Sequence, residues 1–181
     1  MTQLPPELQV VFDQSQEPEA VFSGVLPPLC EVLECDRCFL MLRNPSTRIG
    51  KVAYCWRRKP EVPDMTDYQW RQEDEWEKED PLFAAALQGK PSVYVEDVET
   101  ADATVLNRDF ERQYFGHRAL VHAHLRQDGQ LWGILQPCIF GQPRAWSERD
   151  RAIISVLEEK LAPLAKEYVL KTKGEGQRDE G

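Results

Sequence analysis

Three kinds of side chain in this sequence have types and spacings that could do chemistry. The first is thiol: Cys30, Cys35, Cys38, Cys55 and Cys138. Cys35-Asp-Arg-Cys38 has the C-x-x-C spacing of redox and zinc sites. Those chemistries need a thiolate, stabilised at a helix N-terminus or by a metal held through a second ligand pair. Here Cys38 opens an apolar run, Cys38 to Arg43, that reads as a strand. An odd number of cysteines set in apolar segments reads as reduced, mostly buried thiols. The second kind is imidazole. His122 and His124 are two apart in a strand-like run and point the same way, so they could share a metal ion. The cross-strand positions beside them, Gly133 and Leu135, offer no third ligand, which favours structural histidines and no metal. The third kind is carboxylate. The run Glu73 to Asp80 reads as a solvated face or as a docking patch for a basic partner. No Ser-His-Asp order, paired-carboxylate signature or Gly-rich phosphate cradle stands out, so no catalytic residue is assigned.

The whole chain bounds what can position these groups. Its 181 residues predict about one domain, enough to bury on the order of 70% of the unfolded surface. A formal net charge of −9 argues against nucleic acid or an anionic membrane surface as a partner, since both require clustered positive charge. No apolar run approaches the roughly 20 residues of a membrane span. The N-terminus lacks a basic leader followed by an apolar stretch, so a cytoplasmic location is expected.

Residues 1–17 form a polar lead-in with a weakly amphipathic stretch at Leu8, Val10, Val11 and Phe12. Pro18 suits a helix start, and a helix from there to Leu33 places Phe22, Val25, Leu26, Leu29, Val32 and Leu33 on one side. Pro27-Pro28 predicts a kink in it or two short helices. Cys38 to Arg43 and Ile49 to Arg58 read as a hairpin around the Asn44 to Thr47 turn. Residues 59–80 show no period and predict a long surface loop or partial helix covering one side. Asp80 caps a short helix, Pro81 to Leu87, ended by Gly89, and Pro91 to Val95 is the next strand. Arg108 to Gly116 reads as a short helix or turn.

Asp128-Gly129 supplies the positive φ angles of a type I′ turn between Ala119 to Leu125 and Leu131 to Phe140. Pairing Gln127 with Gln130 then sets Leu125 opposite Trp132, Ala123 opposite Ile134 and Val121 opposite Gln136, with Cys138 on the same face. Ser147, with Asp150 three positions on, caps a final helix from about Glu148 to Leu170, bent at Pro163. Ile154, Leu157, Leu161, Leu164 and Tyr168 form a heptad-like stripe, suited to the helix's own sheet or to a homodimer seam. The charged, Gly-containing segment 171–181 is expected to be disordered.

Leu131-Trp132-Gly133, then Pro143-Arg144-Ala145-Trp146 and a capped helix, preceded by a short helix, Gly89-Lys90-Pro91, a strand and Asp97-Val98, resembles a GAF domain. The likeness is to the phytochrome and cyanobacteriochrome type found in cyanobacteria, and it covers most of residues 18–168, making 18–170 a single domain. It implies an α+β fold: a central antiparallel sheet of about five or six strands with N- and C-terminal helices packed on one face. It also implies a sensory or regulatory module, not an enzyme. The ligand cavity would be walled by Val121, Ala123, Trp132, Ile134, Gln136 and Cys138. Phytochrome-like members attach a bilin, a linear tetrapyrrole, through a cysteine that is usually followed by histidine. The family's spacing puts that position near Asn107, with Arg108 in place of the histidine, and puts a second pocket histidine at Cys138. No cysteine lies between Cys55 and Cys138, so no covalent bilin is expected. Cys138 would serve as a thioether site only if its sulfur faced an open cavity.

The resemblance therefore implies a free-standing module acting through an unidentified small molecule, a protein partner, or both, dimerising through its terminal helices. Two alternatives stay open. One is a photosensory protein holding a tetrapyrrole non-covalently. The other is a cysteine-dependent enzyme like the GAF proteins that reduce methionine sulfoxide, although residues 59–98 contain none of the cavity-loop cysteines that chemistry uses.

Overall fold

The computed structural model describes residues 3–73 and 75–179, with side chains to Thr172. The elements in order are α1 (Pro6–Gln14), α2 (Pro18–Leu33), β1 (Arg37–Asn44), β2 (Ile49–Arg57), β3 (Arg71–Gln72), α3 (Trp76–Glu79), α4 (Pro81–Leu87), β4 (Val93–Val95), α5 (Arg108–Tyr114), β5 (Ala119–Gln127), β6 (Gln130–Ile139) and α6 (Glu148–Asp179). The strands form one sheet in the order β3-β2-β1-β6-β5-β4, every pairing antiparallel. The expected α+β architecture is the observed one. α2 and α6 pack on one face of the sheet, and α3, α4, α5 and the segment 59–70 cover the other. β1 lies centrally, and all eight of its residues are buried.

The β5–β6 hairpin turns at Asp128 (φ 55°) and Gly129 (φ 76°), and Gln127 pairs with Gln130 as the turn chemistry requires. Beyond that pair the simple register fails. Arg126 faces Leu131, Leu125 faces Gly133, His124 faces Ile134 and Ala123 faces Leu135, so Trp132 is an extra residue in a bulge. The cause is a close backbone approach. A Cβ on Gly133 would lie 2.7 Å from the Met41 carbonyl oxygen of β1, so only glycine fits there. The bulge turns Trp132 to the same side as Leu135. It also sends Val121 and Ala123 to the α2/α6 side, and all three belong to that core. These three expected cavity residues therefore stand on the opposite face, and His122 replaces them.

α2 runs unbroken through Pro27-Pro28 and ends on Glu34 in the left-handed region, whose N–H donates to the Cys30 and Glu31 carbonyls. Burial of Phe22, Val25, Leu26, Leu29 and Leu33 along one side offsets the two hydrogen bonds the prolines forfeit. α1 docks as well: Leu8 is fully buried in the same core. The α6 start shows a reciprocal capping box, with Ser147 N–H donating to Asp150 Oδ2 (2.9 Å) and Asp150 N–H to Ser147 Oγ (3.0 Å). Arg144 bonds the Leu33 carbonyl at the end of α2 (2.7 Å) and Asp150 (3.1 Å), while Trp146 Nε1 donates to the Val95 carbonyl (3.0 Å). The Pro-Arg-x-Trp turn thus ties α2, β4 and α6 together.

Ile154, Leu157 and Leu161 have no exposed surface, Tyr168 is buried and Leu164 packs beside them. The heptad-like stripe is consumed by the chain's own sheet and α2, so these residues are not an open dimer seam. α6 passes Pro163 without a break and continues beyond Leu170 to Asp179, into the segment expected to lack structure. Each residue added to an existing helix gains a hydrogen bond without a new nucleation cost, so composition alone misplaces such an end. Residues 180–181 of that segment lie outside the described residues.

Candidate functional site

On the sheet face away from α2 and α6 lies a cavity of about 610 Å³. Its floor is Phe39 and Met41 from β1, Val52 from β2, His122 from β5, and Ile134 and Gln136 from β6. Its walls are residues 63–67, Arg71, Trp76, Glu79, Asp80 and Phe83 on one side and Phe110, Tyr114 and Phe115 on the other. Short-range chemistry sets these walls. Asp80 caps α4 by accepting from Leu82 N–H (3.0 Å), and this orients Phe83, which meets Trp76 edge-on at 5.9 Å between centroids. Asn107 caps α5 by accepting from Phe110 N–H (3.2 Å) and donates from its amide nitrogen to the Glu79 carbonyl (3.1 Å), so one side chain joins the two walls. Asp67 accepts from Val52 N–H (2.9 Å) and pairs with Arg71 (2.8 Å), pinning the loop to β2.

The polar residues on the cavity floor are largely buried, and their side chains keep bonding capacity that no other described residue uses. Gln136 is 6% exposed, and its side-chain amide has no hydrogen-bond partner among the described residues. His122 is 1% exposed and bonds through Nδ1 to His124 Nε2 (3.0 Å), while His124 Nδ1 meets the Lys90 carbonyl (2.9 Å). Burial lowers the proton affinity of both imidazoles, so both are neutral at pH 7. A carbonyl only accepts, so His124 carries its proton on Nδ1 and presents a lone pair at Nε2. His122 must then donate from Nδ1, which leaves its own Nε2 as a hydrogen-bond acceptor. The two histidines bond to one another, and no group of three or more His, Cys, Asp or Glu residues placed to hold a metal ion occurs among the described residues. Asp80, 8% exposed, is pushed up to about 7 by burial and then by the Glu111 carboxylate, against the pull of the Leu82 and Phe83 N–H groups.

Of the expected cavity residues, Ile134 and Gln136 line the space. Cys138 packs below them in the cluster of Phe39, Ile134 and Phe83, fully buried and outside the cavity lining. Behind Phe115 lies a network that sequence reasoning did not anticipate. Cys138 Sγ stands 3.2 Å from His117 Nδ1, and His117 Nε2 stands 2.6 Å from Glu111 Oε2. The atom order is that of a thiol–imidazole–carboxylate triad, closed off from solvent: Glu111 is 1% exposed, His117 3%, and Cys138 is fully buried. Burial raises the Glu111 carboxyl to about 8, against the pull of Arg37. Cys138 Sγ donates to the Gln136 backbone carbonyl (3.4 Å) and accepts from the Arg37 guanidinium (3.7 Å).

Arg37, fully buried, closes the network by donating to the carbonyls of Pro63 (3.0 Å) and Phe115 (3.3 Å), and its Nε lacks a partner. Arg43 and Glu73 form a second buried pair, with two bonds of 2.7 and 2.8 Å. Glu73 and Asp80 are thus the buried ends of the acidic run expected to be a solvated face, while Glu75, Glu77 and Glu79 are exposed. The signal for Arg37 and Arg43 was present: both bracket a wholly apolar strand. The C-x-x-C sulfurs do not pair. Cys35 Sγ lies 3.4 Å from Cys30 Sγ, and Cys35 and Cys38 are both held as thiols, Cys35 chiefly by its bond to Cys30 and Cys38 by burial.

The family model described as GAF domain matches residues 17–162. No curated protein matches the chain. Solved structures do. A phycoerythrobilin-bound GAF domain from a cyanobacterial phytochrome is 16% identical, with a TM-score of 0.68 over 91% of this chain and 94% of its own. A third GAF domain, in its photoproduct state, from Synechocystis sp. PCC6803 is 22% identical, with a TM-score of 0.65 over 86% and 98%. The GAF domain of an Acinetobacter phosphoenolpyruvate-protein phosphotransferase is 13% identical, with a TM-score of 0.66 over 88% of each chain. At these identities the likeness is one of fold.

Proposed function

The chain belongs to the GAF domain family, whose members are generally sensory or regulatory, and from that premise we propose that it is a sensor that binds a small molecule non-covalently in the cavity over β1, β5 and β6. One observation carries the reading: Gln136, 6% exposed, turns a side-chain amide that bonds to no other described residue onto the floor of a 610 Å³ space. A ligand on the floor can satisfy that amide with a hydrogen bond worth about 0.5–1.5 kcal/mol net. Signalling follows from the sheet's position. Ile134 and Leu135 are adjacent on β6, one at the cavity and the other against the α2/α6 core. A ligand that fits one arrangement of the floor better than another biases helix packing by its difference in affinity. Val10 on α1 and Leu170 on α6 are exposed apolar residues from which a second copy or another protein could read that bias.

A second reading, a tetrapyrrole held without a covalent bond, is favoured by the aromatic walls at Trp76, Phe83, Phe110 and Phe115 and by the absence of any cysteine from the cavity lining. Native mass spectrometry of protein from its own cell tests both. We expect an adduct that is released on denaturation and absent from the cavity-filling variant Ile134→Trp. Visible absorbance of the released molecule would select the tetrapyrrole. An adduct that survives denaturation, or no adduct at all, would overturn the proposal.

A further inference from the structure

The hydrogen-bonding polarity of the cavity points to a class of ligand, given the reading of this space as the binding site. Three features of the lining agree. At the floor, the relay Lys90 carbonyl–His124–His122 leaves His122 Nε2 as a lone-pair acceptor, with no protein donor to it among the described residues. Gln136 adds a buried amide oxygen that nothing bonds, together with its N–H donors. The wall carries four carboxylates, those of Asp64, Asp67, Glu79 and Asp80. Against them stands one cation, Arg71, which is already paired with Asp67 at 2.8 Å and is itself well exposed. The cavity therefore presents mostly acceptors and negative charge. Trp76 and Phe83 add ring faces, whose quadrupoles also favour positive charge. An anionic ligand such as a phosphate ester would enter this space with no free cation and would face carboxylates.

We propose that the cavity selects a planar organic cation rich in N–H donors, an amidinium or a protonated amino-heterocycle, that donates to His122 Nε2 and the Gln136 side-chain oxygen while its charge lies beside Asp80. A bound cation keeps Asp80 ionised and meets the floor acceptors, so both burial costs are offset together. The aromatic walls take up the apolar body of the ligand.

Three matched probes of one shape test the assignment by isothermal titration: 2-naphthamidine, neutral 2-naphthamide and anionic 2-naphthoate. The amidine is expected to bind at least tenfold more tightly than the carboxylate, with the amide between them. His122→Phe and Gln136→Leu are each expected to weaken the amidine at least fivefold while bringing the three probes closer together. Thermal melting confirms that each variant folds. Asp80→Asn keeps the oxygen that caps α4 and removes only charge, so it serves where either floor variant fails to fold. Equal or tighter binding of the carboxylate, weakened by the same floor variants, overturns the ligand class and leaves the cavity as the binding site. Amidine binding indifferent to all three variants places it elsewhere and overturns the proposal. Binding of none of the probes overturns both the ligand class and the use of the cavity as a site.

Discussion

Leu135 and Ile134 are neighbours on β6, almost equally buried, yet they belong to different environments. Leu135 has no exposed surface and is enclosed by a continuous apolar cluster that includes Val25, Leu29, Leu157 and Leu161. Ile134 is 2% exposed and has a cavity on one side. The α2/α6 face of the sheet is close-packed and almost wholly apolar. The other face holds Gln136, His122, Asp80 and the Glu111–His117–Cys138 network among its apolar residues. Such polar burial is costly unless every bond is made, and here some are not. One face holds the fold together, and the other accepts local disadvantage in exchange for a place to bind. Departures from packing rules of this kind are expected at functional sites.

The largest expected effect tests that division directly. Leu135→Ala removes packing on all sides and should cost about 3–5 kcal/mol in urea unfolding, the upper part of the range for such truncations. Ile134→Ala removes a side chain that already borders empty space, so the new void adds less, and about 1–2 kcal/mol is expected. Equal losses would mean that the cavity face is as tightly built as the helix face, and the contrast would be void.

A smaller effect should appear in the pH dependence of stability, and its largest carboxyl contributions come from the cavity side. Asp80 and Glu111 have folded values of about 7 and about 8, above their ordinary 3.8 and 4.5. Between those limits these two carboxyls hold more protons in the folded state than in the unfolded chain, so their contribution to stability falls as pH rises. Their contribution is complete below about pH 4 and is lost as pH climbs through 7 to 8. A fall in their contribution across that window, smaller in Asp80→Asn, is expected from chemical denaturation at a series of pH values. Asp80→Asn should match the parent at pH 4 and exceed it at pH 8. An Asp80→Asn variant that tracks the parent at both pH 4 and pH 8 would show the Asp80 carboxyl to be ionised in the fold at no cost.

How far the sequence disclosed this arrangement depended on the range of each interaction. The Ser147–Asp150 capping box, the Asp80 cap and the Asp128-Gly129 turn each join residues within three positions, and their residue types specify the geometry. The bulge at Trp132 escaped because its cause, the approach of Met41 to Gly133, comes from a strand remote in sequence. One such residue was enough to move Val121, Ala123 and Trp132 to the wrong face. The buried charges escaped for the same reason: Arg43 meets Glu73 thirty positions away, and Arg37 meets Phe115 seventy-eight away. α2 escaped differently, since Pro27-Pro28 marks a break locally while eight buried residues hold the helix against the core.

The smallest expected effect is the one that ties the two faces to function. Gln136→Leu replaces a buried amide that makes no hydrogen bond in the protein with an apolar group of similar size. A buried polar side chain that is bonded would lose about 1 kcal/mol or more on such a change. Here no bond to another described residue is lost, so stability should hold within about 1 kcal/mol. The same variant is expected to bind the amidine probe less well. An unchanged melting temperature alongside a loss of affinity would show that Gln136 serves the ligand and not the fold. A destabilisation as large as that of Leu135→Ala would instead show the amide to be bonded within the folded chain, and the cavity face would then be as fully satisfied as the face beneath α6.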